Sequence, residues 1–183
     1  MTLRFDSGRI CLDLAAHPLD TPHALDHWLR ATGLVPATTP LPALDRHWLA
    51  RFRELRACVA TLARAQLGGA TGPAPDLDRL NTLAAAGTPP APRAVRDEHG
   101  QLVRALHTEP DCPALLAAVA RDAVDLLTDP VARTRLRQCE GDNCRRLYLD
   151  TSRGRRRRWC SSELCGNRER VARHRRRSAA AKV

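Results

Sequence analysis

Aromatic side chains are scarce in this 183-residue chain: three Trp, two Phe and one Tyr make up 3% of it. A buried core must therefore be built from Leu, Val and Ala, and base recognition on aromatic stacking platforms is disfavoured. Lysine is nearly absent, since all but one of the 30 basic residues are arginine. Long apolar runs are missing too. The most apolar stretch, Cys112 to Leu127, is interrupted by Arg121, Asp122 and Asp125, so it falls short of the roughly 18 apolar residues a membrane span needs. The first residues, Met1 to Asp6, show no charged-then-apolar leader pattern. A soluble, cytoplasmic protein with no membrane partner is the expectation. No phosphate-cradling glycine loop, nucleophile–base–orienter set or pair of catalytic carboxylates stands out, so an enzyme is not expected.

What the chain does contain is unevenly placed. Hydrophobic residues make up 43%, enough to bury a core and to exclude wholesale disorder. Residues 1–132 hold 13 basic and 15 acidic side chains, whereas residues 133–183 hold 17 basic and 5 acidic. Coding bias accounts for arginine in place of lysine. It does not account for a surplus confined to the last quarter of the chain. That quarter is suited to a polyanionic partner, nucleic acid first and an anionic surface second.

The seven cysteines fall into two classes. Cys11, Cys58 and Cys112 are far apart and flanked by apolar residues, which reads as three small buried hydrophobes. Cys112 follows a helix-capping Asp111, which also makes it a candidate for a thiol of lowered pKa and redox reactivity. The other four form two close pairs, Cys139 with Cys144 and Cys160 with Cys165. Gly141, Asp142 and Asn143 supply turn chemistry inside the first pair. Two such pairs separated by a hairpin-length spacer assemble a four-thiolate site for one structural Zn²⁺. A disulfide framework is the competing reading, against which stand the odd cysteine count and the absence of a secretion signal. His23 and His27, four apart, could share a metal, but no third ligand accompanies them.

Periodicity predicts a mainly α fold with small β elements. Thr21-Pro22 starts a helix that Gly33 ends, with Leu25, Trp28 and Leu29 on one face. A longer helix is predicted from Pro42 to Leu67, with Leu44, Trp48, Phe52, Leu55, Val59 and Leu62 at helical spacing. Asp76 is expected to cap a short helix closed by Gly87, and Asp111 one that runs to Leu127. Between them, residues 94–96 and 102–106 flank a polar turn and read as a β-hairpin. Asp129-Pro130 marks the expected boundary between a helical regulatory or dimerisation domain, 1–132, and a finger, 133–183. In the finger, Arg146–Asp150 and Arg155–Trp159 are expected to pair as strands. A helix should then start near Ser161 or Asn167 and run past Arg177, giving a treble-clef-like plan.

The run Arg158-Trp159-Cys160-Ser161-Ser162-Glu163-Leu164-Cys165-Gly166-Asn167-Arg168 resembles the CGNR zinc-finger family. Cys139 to Cys144 and Leu147 to Ser152 fit that family's knuckle, strand and turn. Upstream, Ile10 to Leu14 and Leu25 to Leu34 resemble the ABATE-type domain that precedes this finger in stress-induced transcription regulators. The resemblance implies a zinc-dependent regulator. One departure is that the family's early Asn-Thr pair is Ala16-His17 in this chain.

The candidate contacts to nucleic acid are Arg155, Arg156, Arg157 and Arg158 in the expected hairpin, then Asn167, Arg168, Arg170, Arg173, Arg175, Arg176 and Arg177 in the last helix. Guanidinium grips phosphate or the guanine O6/N7 edge in bidentate fashion. Duplex DNA is the expected partner, with structured RNA or an acidic protein as alternatives. A solvated tail accounts for Ser178 to Val183. The near-neutral N-terminal domain is open to a small-molecule effector, to homodimerisation or to both.

Overall fold

The computed structural model describes residues 3–180. It contains α1 (Ile10–Ala16), α2 (Pro22–Ala31), α3 (Arg46–Leu67) and α4 (Ala74–Ala85), then a hairpin of β1 (Pro92–Arg96) and β2 (Leu102–Leu106). There follow α5 (Cys112–Thr128), α6 (Pro130–Arg135), a second small hairpin of β3 (Leu136–Gln138) and β4 (Leu147–Leu149), a π-turn (Ser162–Gly166) and α7 (Asn167–Ala180). The mainly helical expectation holds, with two antiparallel hairpins as the β content. Residues 181–183 of the expected solvated tail lie outside the described residues.

Local chemistry places most helix ends. Thr21 accepts the Ala24 N–H at the start of α2, and Asp111 accepts the Ala114 N–H at the start of α5. The helix predicted from Pro42 begins instead at Arg46, because Asp45 caps it by accepting the N–H groups of His47 and Trp48. Likewise α4 starts before Asp76, which sits in its first turn rather than at its cap. Gly87 is required by close approach: a Cβ there would lie 2.7 Å from the backbone N of Ala114.

The apolar faces of α1 to α5 enclose one core. Trp28 and Phe52 meet edge to face, and Leu12, Leu55, Leu116 and Val119 are among its buried members. Cys11, Cys58 and Cys112 are buried as expected. Burial pushes the Cys58 and Cys112 thiols up to about 11 and raises Cys11 well above its ordinary value. The candidate reactive thiol at Cys112 is therefore corrected: desolvation outweighs its position at a helix start.

This core does not stop at the expected boundary. Leu136, Leu147 and Leu149 belong to it, while Tyr148 belongs to a second cluster around the four finger cysteines. Alternation along β4 thus sends Leu147 and Leu149 into the helical unit and Tyr148 toward the sulfurs. Three residues weld the two parts together.

The finger hairpin differs from the expected one. β4 pairs with β3, Leu136 opposite Leu149 and Gln138 opposite Leu147, and not with residues 155–159. A further backbone bond from Leu149 N–H to Ser7 O, 2.8 Å, involves the N-terminal segment. The chain after β4 curls because the Asp150 carboxylate gathers the Ser152 N–H, the Ser152 hydroxyl and the Arg157 N–H. Arg155 takes φ +49° in this loop. The arginine run is therefore not a strand, and no alternation between sheet faces applies to it.

Candidate metal centre and cationic surface

Two short devices present the cysteines. The first is the β3–β4 knuckle, closed by Cys139 N–H to Arg146 O and by Cys144 N–H to Gly141 O, both 2.9 Å. The second is the π-turn, where the Ser161 hydroxyl accepts the Leu164 N–H and Gly166 N–H bonds to Ser161 O. Between them the Sγ atoms of Cys139, Cys144, Cys160 and Cys165 all lie within 4.8 Å of one another. Tetrahedral zinc with bonds of ~2.3 Å needs sulfurs about 3.8 Å apart. The Cys144–Cys160 and Cys160–Cys165 separations are 3.7 Å. The donor set and its spacing fit a single structural zinc, and no coordination position is left for substrate.

The surroundings suit a thiolate cluster. Burial and the neighbouring sulfurs of Cys144 and Cys139 push the Cys160 thiol upward, a penalty removed when all four bind as thiolates. Burial opposes ionisation of Cys139 as well, yet donors led by the Cys160 and Gly141 N–H groups bring it below its ordinary value. Arg4 donates to the Cys160 sulfur at 3.7 Å. Asp6 bridges Arg4 and Arg146, and Arg146 also bonds the Arg4 carbonyl. The N-terminal segment is thus clamped onto the finger from more than a hundred residues away in sequence.

The arginines divide into two groups. Arg157 is half-buried, stacked 4.7 Å over the Tyr148 ring, and donates to the carbonyls of Trp159, Cys160 and Asp6. Its guanidinium is committed to the fold rather than to a phosphate. Arg155, Arg156 and Arg158 are exposed, with Arg158 paired to Glu140 at 2.6 Å and lying over Trp159. On α7, Asn167, Arg168, Arg170, Arg173, Arg175, Arg176 and Arg177 are all exposed. Arg170 reaches the Ser162 carbonyl and Arg176 lies 3.9 Å from Glu169. The few large apolar side chains at this end of the chain are half uncovered, with Leu164 48% and Val171 43% exposed.

His23 and His27 are exposed on α2 and join no cluster of three metal-binding side chains among the described residues. His17, at the departure from the family pattern, is buried. Its Nδ1 bonds the Asp13 carbonyl at 2.6 Å and its Nε2 accepts the Arg4 N–H at 2.9 Å. Sequence reasoning missed this pin, the Asp6 clamp and Asp150. Only Asp150 carried a local signal, the Asp-x-Ser pattern of an Asx turn.

The fold and sulfur site define a helical protein bearing a four-cysteine zinc finger. Residues 8–130 match the ABATE family, described as "Putative stress-induced transcription regulator", and residues 135–178 match the CGNR zinc finger. The chain belongs to the ABATE family and is a zinc-binding regulator. Both families are regulatory or zinc-finger families rather than enzymatic ones. No curated protein shows a significant match to it. Among the described residues, no helix is long and apolar enough to cross a membrane.

Proposed function

We propose that the protein regulates transcription by binding duplex DNA through its finger. Residues 133–183 serve as the reading head and residues 1–132 as the regulatory part, in the cytoplasm and on the nucleoid. The observation that carries this reading is the character of α7. Its main packing is against the π-turn, no side chain described on it is buried, and six arginines project from it. Arg170, Arg173 and Arg177 share one face at helical spacing. With no apolar face to bury, α7 leaves its arginine side chains free to meet a partner, and the dense phosphate line of a duplex matches their charge. Arg155, Arg156 and Arg158, beside the same sulfur site, extend the cationic surface. Arg157 holds the loop that carries them.

The test is a fluorescence-anisotropy titration of the zinc-loaded protein with duplex DNA at several salt concentrations. Neutralising about five phosphates gives a slope of log K against log[salt] near −4.5. Arg173→Ala and Arg177→Ala should each weaken binding across sequences and reduce the slope by about 1. A flat salt dependence overturns the reading.

A further inference from the structure

A cleft of about 420 Å³ lies where the helical unit meets the finger. Five arginines line it and no carboxylate does: Arg4, Arg64 at the last turn of α3, Arg145 and Arg146 after the first cysteine pair, and Arg168 in the first turn of α7. Two of them have protein partners, since Arg4 and Arg146 share Asp6 and Arg4 also touches the Cys160 sulfur. The thiolate cluster and Asp6 therefore account for that pair. Among the described residues, the guanidinium groups of Arg64, Arg145 and Arg168 make no hydrogen bond or ion pair, and all three are exposed. Folding brings them to one cleft from distant parts of the chain, which costs Coulomb energy that no carboxylate in the lining offsets and that only the sulfurs of Cys144 and Cys165 lie close enough to relieve.

The remaining lining is Asn143, Cys144 and Cys165 at the sulfur site and a small apolar strip. Ala15 and Ala16 end α1, and Leu147 and Leu164 come from the finger. The size is that of a small-molecule site, which spans roughly 300–1,000 Å³. An arginine cluster beside an apolar strip suits a ligand with a phosphate at one end and an uncharged body at the other, because guanidinium forks onto phosphate oxygens. We propose that this cleft binds a small phosphate-bearing molecule, a phosphomonoester or diphosphate, held between Arg64 of the helical unit and Arg145 and Arg168 of the finger. The site differs from the DNA surface although Arg168 lies near both. It requires no DNA to be measured.

The probe is inorganic pyrophosphate, titrated calorimetrically into the zinc-loaded full chain at fixed ionic strength. The expected result is saturable binding of one anion per chain. Arg64→Ala should weaken it about tenfold and Arg64→Glu should abolish it. Arg93→Ala, which alters an exposed arginine on β1, should leave it unchanged. Arg64 is exposed, so its variants should retain the wild-type melting temperature without anion, and melting each one confirms that it is folded. Equal weakening by Arg64→Ala and Arg93→Ala, or no saturable binding, overturns the proposal. So does a loss of duplex affinity in Arg64→Ala as large as its loss of pyrophosphate affinity, which would make the occupant a DNA phosphate. Failure of the protein to bind DNA leaves the pyrophosphate result intact, so the two readings fail separately.

Discussion

Asp13 in the first turn of α1 and His17 at its C-cap lie four residues apart, both buried, and are shifted in opposite senses. Burial raises the Asp13 carboxyl to about 6, although Ser7 and Arg146 pull it down. The folded protein holds that proton more tightly than the unfolded chain, whose value is ~3.9. The group therefore favours folding in acid and opposes it as pH rises through about 6. His17 is lowered by burial, so its contribution is complete above the unfolded value of ~6.5 and is lost as pH falls through the folded one. Asp13→Asn keeps an acceptor for the Ser7 N–H and removes the cost of a buried charge. Urea melts should show a gain in stability larger at pH 8 than at pH 4 by about 2 kcal/mol. An equal gain at both values would mean that Asp13 titrates alike in the folded and unfolded chain.

At the scale of elements, β4 decides most. Leu149 is 7% exposed and packs in the helical core, while its neighbour Tyr148 packs on the cysteine cluster. Leu149→Ala should cost about 2–4 kcal/mol by denaturant unfolding. It should also weaken zinc retention against a competing chelator, because the strand that positions the knuckle shifts. Leu164→Ala, at a site 48% exposed, should cost less than about 0.5 kcal/mol. The helices were legible in the sequence because caps and period are local: Thr21, Asp111 and the leucine spacing act within a turn or two. The pairing of β4 was not. The arginine run after it has strand-like length, and only the Asp150 carboxylate, drawing in Ser152 and Arg157, curls that run away from a hairpin.

For the whole molecule, zinc and the apolar core divide the work of folding. Most residues of the core belong to α1 to α5 and need no metal. The sulfur cluster holds the knuckle and the π-turn, from which α7 starts. Removing zinc with a strong chelator should leave most of the helical circular dichroism signal, lower the melting temperature and abolish retardation of duplex DNA. Readdition of one equivalent of zinc should restore all three. Loss of the entire helical signal on chelation would show that Leu147 and Leu149 cannot hold the helical unit without an ordered finger.

The sequence by itself determined the class of protein and its metal site. Cysteine spacing, cap residues and the clustering of arginine at one end are short-range or compositional properties, and each survives in one dimension. The tertiary structure alone decided which arginines are free. Arg157, in the middle of four identical residues, turns inward because Tyr148 and three carbonyls receive it. Arg64, in a long helix far from the finger, comes to the cleft beside Arg168 because α1 and α3 pack together and α1 meets β4. Charge is written in the chain, but what each charge faces depends on contacts between residues a hundred positions apart.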